Sequence, residues 1–322
     1  MPADLAPWQR RGLAHALAAL QAGRLGHGLL ICGPAGLGAQ EVASRLAEHI
    51  LCADADDAER TRHRALIAAG SHPDLHRISL IPNKEGSKLR TEIVIEQIRD
   101  LTQKFGLTPQ YGAAQVAIID PADAINNAAC NALLKTLEEP VPGRYLWLIS
   151  TRPSRLPATI RSRCQRLEFR LPPWDEALAW LIDAQGHAPD IASEALQAAR
   201  GHPGLADEWL RSDGWALRKE VMADLDKLGA AKTDPIQMAQ RWSGDEQLAQ
   251  RLSCAADWAL SQATGADALK DPAQLRRLAD WFDKANRTRD LLRTTVRADL
   301  LVVELLSSWR DGAQAIRLGA AK

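Results

Sequence analysis

Through the first half of the chain, short unbroken apolar runs alternate with stretches whose apolar residues recur every three or four positions. Val116–Ile119 is one such run, the pattern of a strand buried on both faces of a parallel sheet. Ile125, Ala129, Leu133 and Leu137 then repeat at four-residue spacing, which predicts a helix. Pro140 and Pro142 stop it, because proline lacks the amide and pushes the preceding residue out of helical geometry. Tyr145–Ile149 predicts the next strand, parallel to the first across a helical crossover. His27–Cys32 repeats the buried-strand pattern and runs through a glycine loop, Gly33–Gln40, into a helix ending near Cys52. Residues 7–25 predict an amphipathic helix with Leu13, Leu17 and Leu20 on one side, and Leu75–Leu80 a further strand. A polar loop, Ile81–Arg90, carries Lys84, Lys88 and Arg90; Thr91 then opens a helix with Ile95, Ile98, Leu101 and Phe105 on its apolar face.

The pattern changes at Leu171-Pro172-Pro173-Trp174. Two short helices follow, Glu176–Ile182 and Asp190–Arg200, and beyond about residue 212 only helical spacing remains. The expected helices are Leu217–Leu228, Pro235–Trp242, Glu246–Ala263, Pro272–Lys284 and Arg289–Trp309, the last striped by Leu291, Val296, Leu300, Val303 and Leu306. Six of the ten tryptophans (Trp209, Trp215, Trp242, Trp258, Trp281, Trp309) lie beyond residue 205. Core packing is the job expected of most, although tryptophan is also favoured at subunit contacts.

Composition narrows the function. With 322 residues, 46% apolar and 25% charged, the chain has room for two or three domains. Lysine plus arginine matches aspartate plus glutamate, 40 against 40, so no global positive field holds DNA and any such contact is local or lent by partners. Cys32, Cys52, Cys130, Cys164 and Cys254 are odd in number and scattered, as expected of small buried side chains in a reducing compartment. Without a signal segment or an apolar run near 18 residues, the expectation is a soluble cytoplasmic protein.

Strand, glycine loop and helix are the context of a P-loop, G-x-x-x-x-G-K-[ST], whose amides, lysine and hydroxyl hold phosphates and magnesium. Here Gly33, Gly36 and Gly38 are present, but Ala39 stands at the lysine position and Gln40 at the hydroxyl position. Neither can do that chemistry, and a tight turn kept for packing is the simpler reading.

Asn131-Ala132-Leu133-Leu134-Lys135-Thr136-Leu137-Glu138-Glu139-Pro140, followed by Ser162-Arg163-Cys164, resembles the clamp-loader ATPases of the AAA+ class, which place ring-shaped sliding clamps on DNA. The similarity runs over nearly the whole chain. It implies an α/β RecA-like P-loop domain with a parallel sheet (residues 1–170), a small helical lid (171–211) and a C-terminal helical collar for oligomerisation (212–322). In that family the strand ending at Asp120 should close with Asp-Glu, but Pro121 follows and cannot act as a base. Ser150 and Thr151 match the polar sensor position. The lid arginine that senses phosphate in the family corresponds to Gly204, within Gly201-His202-Pro203-Gly204. Many bacterial relatives also carry a zinc module spaced C-x8-C-x2-C-x2-C. From Cys52 its later ligands fall on Thr61, Arg64 and Ile67, so no zinc is expected; His63, His72 and His76 are nearby but scattered.

Chemistry is thus lost at Ala39, Gln40, Pro121 and Gly204, while Arg163 survives. In the family, the arginine of this triplet reaches the ATP of the neighbouring subunit, a task suited to its permanent charge and planar fork. The other arginines of this segment, Arg152, Arg155, Arg161, Arg166 and Arg170, read as a surface laced with ion pairs. The resemblance therefore implies a non-hydrolysing stator in the clamp loader of bacterial DNA polymerase III, with no nucleotide or metal of its own. Its partners would be the motor subunits (gamma/tau) and the delta subunit, with the sliding clamp and primer–template DNA reached through the complex. DNA-directed DNA polymerase activity would attach to it by membership only; nothing in the sequence resembles a polymerase or nuclease site. Two other readings stay open: an active ATPase that uses Asp120 for magnesium and a lysine from elsewhere, and a DNA-binding module built on the basic loop and arginine cluster.

Overall fold

The computed structural model describes residues 5–83, 86, 89–264, 271–292, 294 and 296–320, the stretch 313–320 by its backbone alone. In chain order the elements of the first unit are α1 (Pro7–Gln21), β1 (Gly28–Cys32), α2 (Ala39–Leu51), α3 (Asp57–Ala68), β2 (Leu75–Ile78), α4 (Ile95–Phe105), β3 (Gln115–Ile119), α5 (Asn127–Glu138), β4 (Arg144–Ser150), α6 (Ala158–Arg161), β5 (Gln165–Glu168) and α7 (Trp174–Ala179). The strands form one parallel sheet in the order β2-β3-β4-β1-β5. Alternate residues of each strand face opposite sides. Leu29, Ile31, Val116, Ile118, Trp147 and Ile149 pack with α1 and α2 through Trp8, Val42 and Leu46. Leu30, Ala117, Ile119, Leu146 and Leu148 pack with α4 and α5 through Ile98, Leu101, Leu133 and Leu137. Helices on both faces explain why the inner strands β1, β3 and β4 read as apolar runs, while the edge strands β2 and β5 do not.

Several boundaries differ from the expectation. The helix expected from Thr91 begins only at Ile95, because Ile93, fully buried, is extended and bridges Ile125. Ile93 N–H donates to the Ala124 carbonyl at 2.8 Å, and Asn126 N–H to the Ile93 carbonyl at 3.1 Å. Ile125 therefore precedes α5 instead of opening it, and Asn126 caps that helix through the Ala129 amide. The strand read to Leu80 ends at Ile78, and α7 gives way to a wider π-helical turn over Trp180–Ala184. Lys84 and Lys88 of the basic loop lie outside the described residues; Pro82 and Leu89 on its flanks form an antiparallel bridge.

The chain divides into two compact units, residues 1–184 with 201–204, and residues 185–200 with 205–322. The second contains α8 (Pro189–Ala198), most of α9 (Pro203–Arg211), α10 (Gly214–Gly229), α11 (Pro235–Ser243), α12 (Leu248–Ala263), α13 (Pro272–Leu291) and α14 (Ala298–Ala320). Val221, Leu225, Trp242, Leu252, Trp281, Leu305 and Leu306 share its core. The single last helix expected over Arg289–Trp309 is two, for the chain turns after Leu291, where Thr294 N–H donates back to the Leu291 carbonyl at 2.9 Å. Leu291 ends α13, while Val296 and Leu300 of the expected stripe are exposed and Val302 and Leu305 are buried instead. Asp224, buried, accepts from Trp242 Nε1 at 2.9 Å and pairs with Arg241, which satisfies a carboxylate that the core would otherwise strand.

Candidate functional site

The glycine loop joins β1 to α2 as a P-loop does, with Gly38 as the N-cap of α2 in left-handed geometry (φ 82°, ψ 30°). That backbone alone favours glycine, and a Cβ there would also strike the Gln9 side-chain amide. The loop is tied down from α1. Trp8 Nε1 and Gln9 Nε2 both donate to the Leu37 carbonyl, at 2.9 and 3.1 Å, and Leu37 is fully buried. On its other side the loop meets the start of α9, where a Cβ on Gly204 would overlap the Gly36 carbonyl oxygen. Gly204 thus lies backbone to backbone on the loop, leaving no room for an arginine side chain at that position. Ala39 and Gln40 offer no cation or hydroxyl from the first turn of α2, and that turn carries an acid, Glu41.

The second motif ends β3. Asp120 N–H donates to the Ile78 carbonyl at 2.9 Å. Its carboxyl is pushed above the usual range by burial and then by Asp123, with Arg77 opposing. Pro121 leads into a short 3-10 turn, Ala122–Ala124, that presents Asp123 to the end of β4. There Asp123 accepts from Ser150 Oγ at 2.8 Å and from the Thr151 amide at 3.1 Å, with Arg152 Nε at 3.6 Å. The expected sensor residues are therefore bound to Asp123, which sequence reasoning missed; the only signal was an acid three residues after Asp120. Among the residues available to it, Asp120 has no second carboxylate of the Asp-Glu pair beside it in sequence, and among the described residues no group of three His, Cys, Asp or Glu side chains is arranged to hold a metal.

Ser162-Arg163-Cys164 follows α6, at the far end of α5 from Asn126. Cys164 is buried, and burial pushes its thiol up to about 11, so it packs as an apolar group. Ser162 Oγ and Arg163 NH1 both donate to the Thr159 carbonyl, at 3.2 and 3.0 Å. Arg163 NH2 also pairs with Glu138 Oε1 at 2.6 Å. Of the surrounding arginines, Arg152 pairs with Asp123 and Arg170 with Glu168. Arg155, Arg161 and Arg166 have no ion pair to another described residue, so the ion-paired surface is only partial.

Residues 52–73 fold without the four-cysteine spacing. Asp56 and Glu59 form a reciprocal capping box for α3, with Glu59 N–H to Asp56 Oδ1 at 2.8 Å and Asp56 N–H to Glu59 Oε2 at 3.0 Å. Cys52 is buried, Thr61 Oγ1 donates to the Asp57 carbonyl and Arg64 pairs with Glu48. His63 meets His72 and Tyr111 edge to face, with ring centroids 5.0 and 5.1 Å apart, and the His72 and Tyr111 rings lie tilted at 5.7 Å. Beneath them the buried Asp74 carboxylate accepts the Gln110 and Tyr111 amides.

A five-stranded parallel sheet in this order, with a glycine loop joining β1, the strand between β4 and β5, to the following helix, is the arrangement of a P-loop protein of the AAA+ class. A family model described as "DNA polymerase III, delta subunit" matches residues 8–173. The chain is 36% identical over 247 residues to "DNA polymerase III subunit delta'" of Pseudomonas aeruginosa, covering 75% of this chain and 72% of that protein. Against the protein of the same name in Escherichia coli it is 34% identical, covering 67% of this chain and 64% of that one. A solved structure of a DNA polymerase III gamma subunit-related protein from Thermotoga maritima aligns at 18% identity and TM-score 0.44, over 92% of this chain and 99% of that one. The chain belongs to the delta-prime family of DNA polymerase III clamp-loader subunits.

Proposed function

We propose that this chain is a non-hydrolysing stator of the clamp loader that lends Arg163 to the ATP of an adjacent motor subunit. The observation that carries the first half is the contact of Gly204 with Gly36 over a loop already lacking its lysine and hydroxyl. A nucleotide here would meet no cation from Ala39, no magnesium-binding hydroxyl from Gln40 and no base from Pro121. Arg163 supports the second half, being an exposed guanidinium next to a buried, inert Cys164. Fingers of this kind accelerate phosphoryl transfer by roughly 10³–10⁵. On this reading the ATP belongs to the gamma/tau subunit, the delta subunit completes the ring, and the sliding clamp and primer–template DNA are engaged by the cytoplasmic complex as a whole. Residues 171–211 would act as the lid and 212–322 as the collar. The test is equilibrium binding of a fluorescent ATP analogue, with magnesium, to the purified chain. The expected result is no saturable binding at near-millimolar analogue. Micromolar binding would instead favour a chain that is itself an ATPase.

A further inference from the structure

Glu138 is the last residue of α5, where the carbonyl ends of the helix make a negative charge unfavourable. Nothing in the packing of α5 requires it, since its side chain is 47% exposed. What it touches is Arg163, at 2.6 Å. The backbone on both sides of that contact is held firmly. His27 Nε2 hydrogen-bonds the Leu137 carbonyl at 3.0 Å. Gly28 brings β1 so close that a Cβ there would press on Leu137 Cδ2 at 2.8 Å, on the Arg163 carbonyl at 3.2 Å and on Cys164 Sγ at 3.5 Å. The end of α5 and the Ser-Arg-Cys triplet are thus locked against the same strand, and a carboxylate from one meets the guanidinium of the other.

We infer that Glu138 is a positioning residue for Arg163, fixing the guanidinium in advance so that its remaining N–H groups meet a neighbour's phosphate without first being ordered. This rests on the trans role proposed above for Arg163. An unrestrained arginine loses rotamer freedom when it docks. Here the Glu138 carboxylate and the Thr159 carbonyl engage one N–H each from NH2 and NH1, and the rest of the five-donor fork stays available. The pair is exposed, so its contribution is modest and salt-sensitive. A restraint that matters when charge develops acts on kcat and leaves substrate binding alone.

The experiment is ATP hydrolysis by the reconstituted clamp loader containing this chain, with clamp and primed DNA present. Glu138→Ala is expected to lower kcat on the order of two- to fivefold with KM for ATP unchanged, the range an exposed ion pair supports. Glu138→Gln, which keeps an acceptor of the same shape, is expected to restore part of the loss. On an Arg163→Ala background, Glu138→Ala is expected to change nothing further. A kcat for Glu138→Ala at or above wild type, while Arg163→Ala is impaired, overturns the positioning role alone. So does an equal loss on both backgrounds, which would make Glu138 a structural residue acting elsewhere. If Arg163→Ala itself hydrolyses normally, the trans reading falls, and the positioning role falls with it.

Discussion

Asp123 shows how a site can be rebuilt by a residue that carries no motif. Its side chain is only 6% exposed, and it collects the Ser150 hydroxyl, the Thr151 amide and the Arg152 guanidinium at the end of β4. The four positions that announced themselves in the sequence did so because a fixed spacing demands a lysine, a hydroxyl, a glutamate and an arginine there. Asp123 answers no such demand, and its importance comes from β3 and β4 lying side by side. Asp123→Ala leaves the buried Ser150 hydroxyl and the Thr151 amide without their acceptor, so a loss of about 1–3 kcal/mol is expected. Urea unfolding of the variant measures it, and Asp123→Asn, which keeps a carbonyl acceptor, should lose less.

Among the elements, the three inner strands were the most legible, whereas β5, with only Leu167 buried, was not read as a strand at all. Burial on both faces writes an unbroken apolar run, and β1, β3 and β4 lie within a residue or two of where those runs fall. Element ends were less so. Ile93 continues the apolar spacing of α4 but is drawn into the extended state by Ile125, thirty-odd positions away and invisible to local periodicity. The α13–α14 break hid because no glycine or proline lies between Leu291 and Leu300 to mark it, although the five-residue step from Leu291 to Val296 departs from helical spacing. The site followed the same rule: the glycine loop and the triplet were plain from spacing, whereas Gly204 lying on Gly36 and Glu138 meeting Arg163 depend on tertiary approach.

The insert around α3 carries its own pH dependence. Burial lowers the pKa of His72, reinforced by His63 and His76 and opposed by Asp74. Burial likewise lowers that of His76, with Lys104 and Arg144 adding to it and Asp74 and Asp100 opposing. A histidine held neutral in the fold binds its proton more readily once unfolded. Its stabilising contribution is therefore complete above the unfolded value of about 6.5 and declines as pH falls from there toward the lowered folded values. The urea midpoint should drop between pH 7.5 and pH 5.5, and His72→Gln should flatten that drop. An unchanged slope in the variant would locate the titration elsewhere.

For the whole molecule, the 40 basic and 40 acidic residues balance, so no general positive field surrounds the chain. The two units each hold a separate core, and the nucleotide-like loop belongs entirely to the first. Restoring the missing lysine and hydroxyl with Ala39→Lys and Gln40→Thr is expected to leave the melting temperature unmoved by millimolar magnesium-ATP. A regained site with a dissociation constant a hundredfold below the ligand concentration would instead stabilise by about 2.7 kcal/mol. The reason lies in the contact between Gly204 and Gly36. With Gly204 seated on Gly36, no single substitution opens the space, because an arginine fits at 204 only if the turn moves. Regaining the site would take a substitution and a backbone movement together, which no single change supplies.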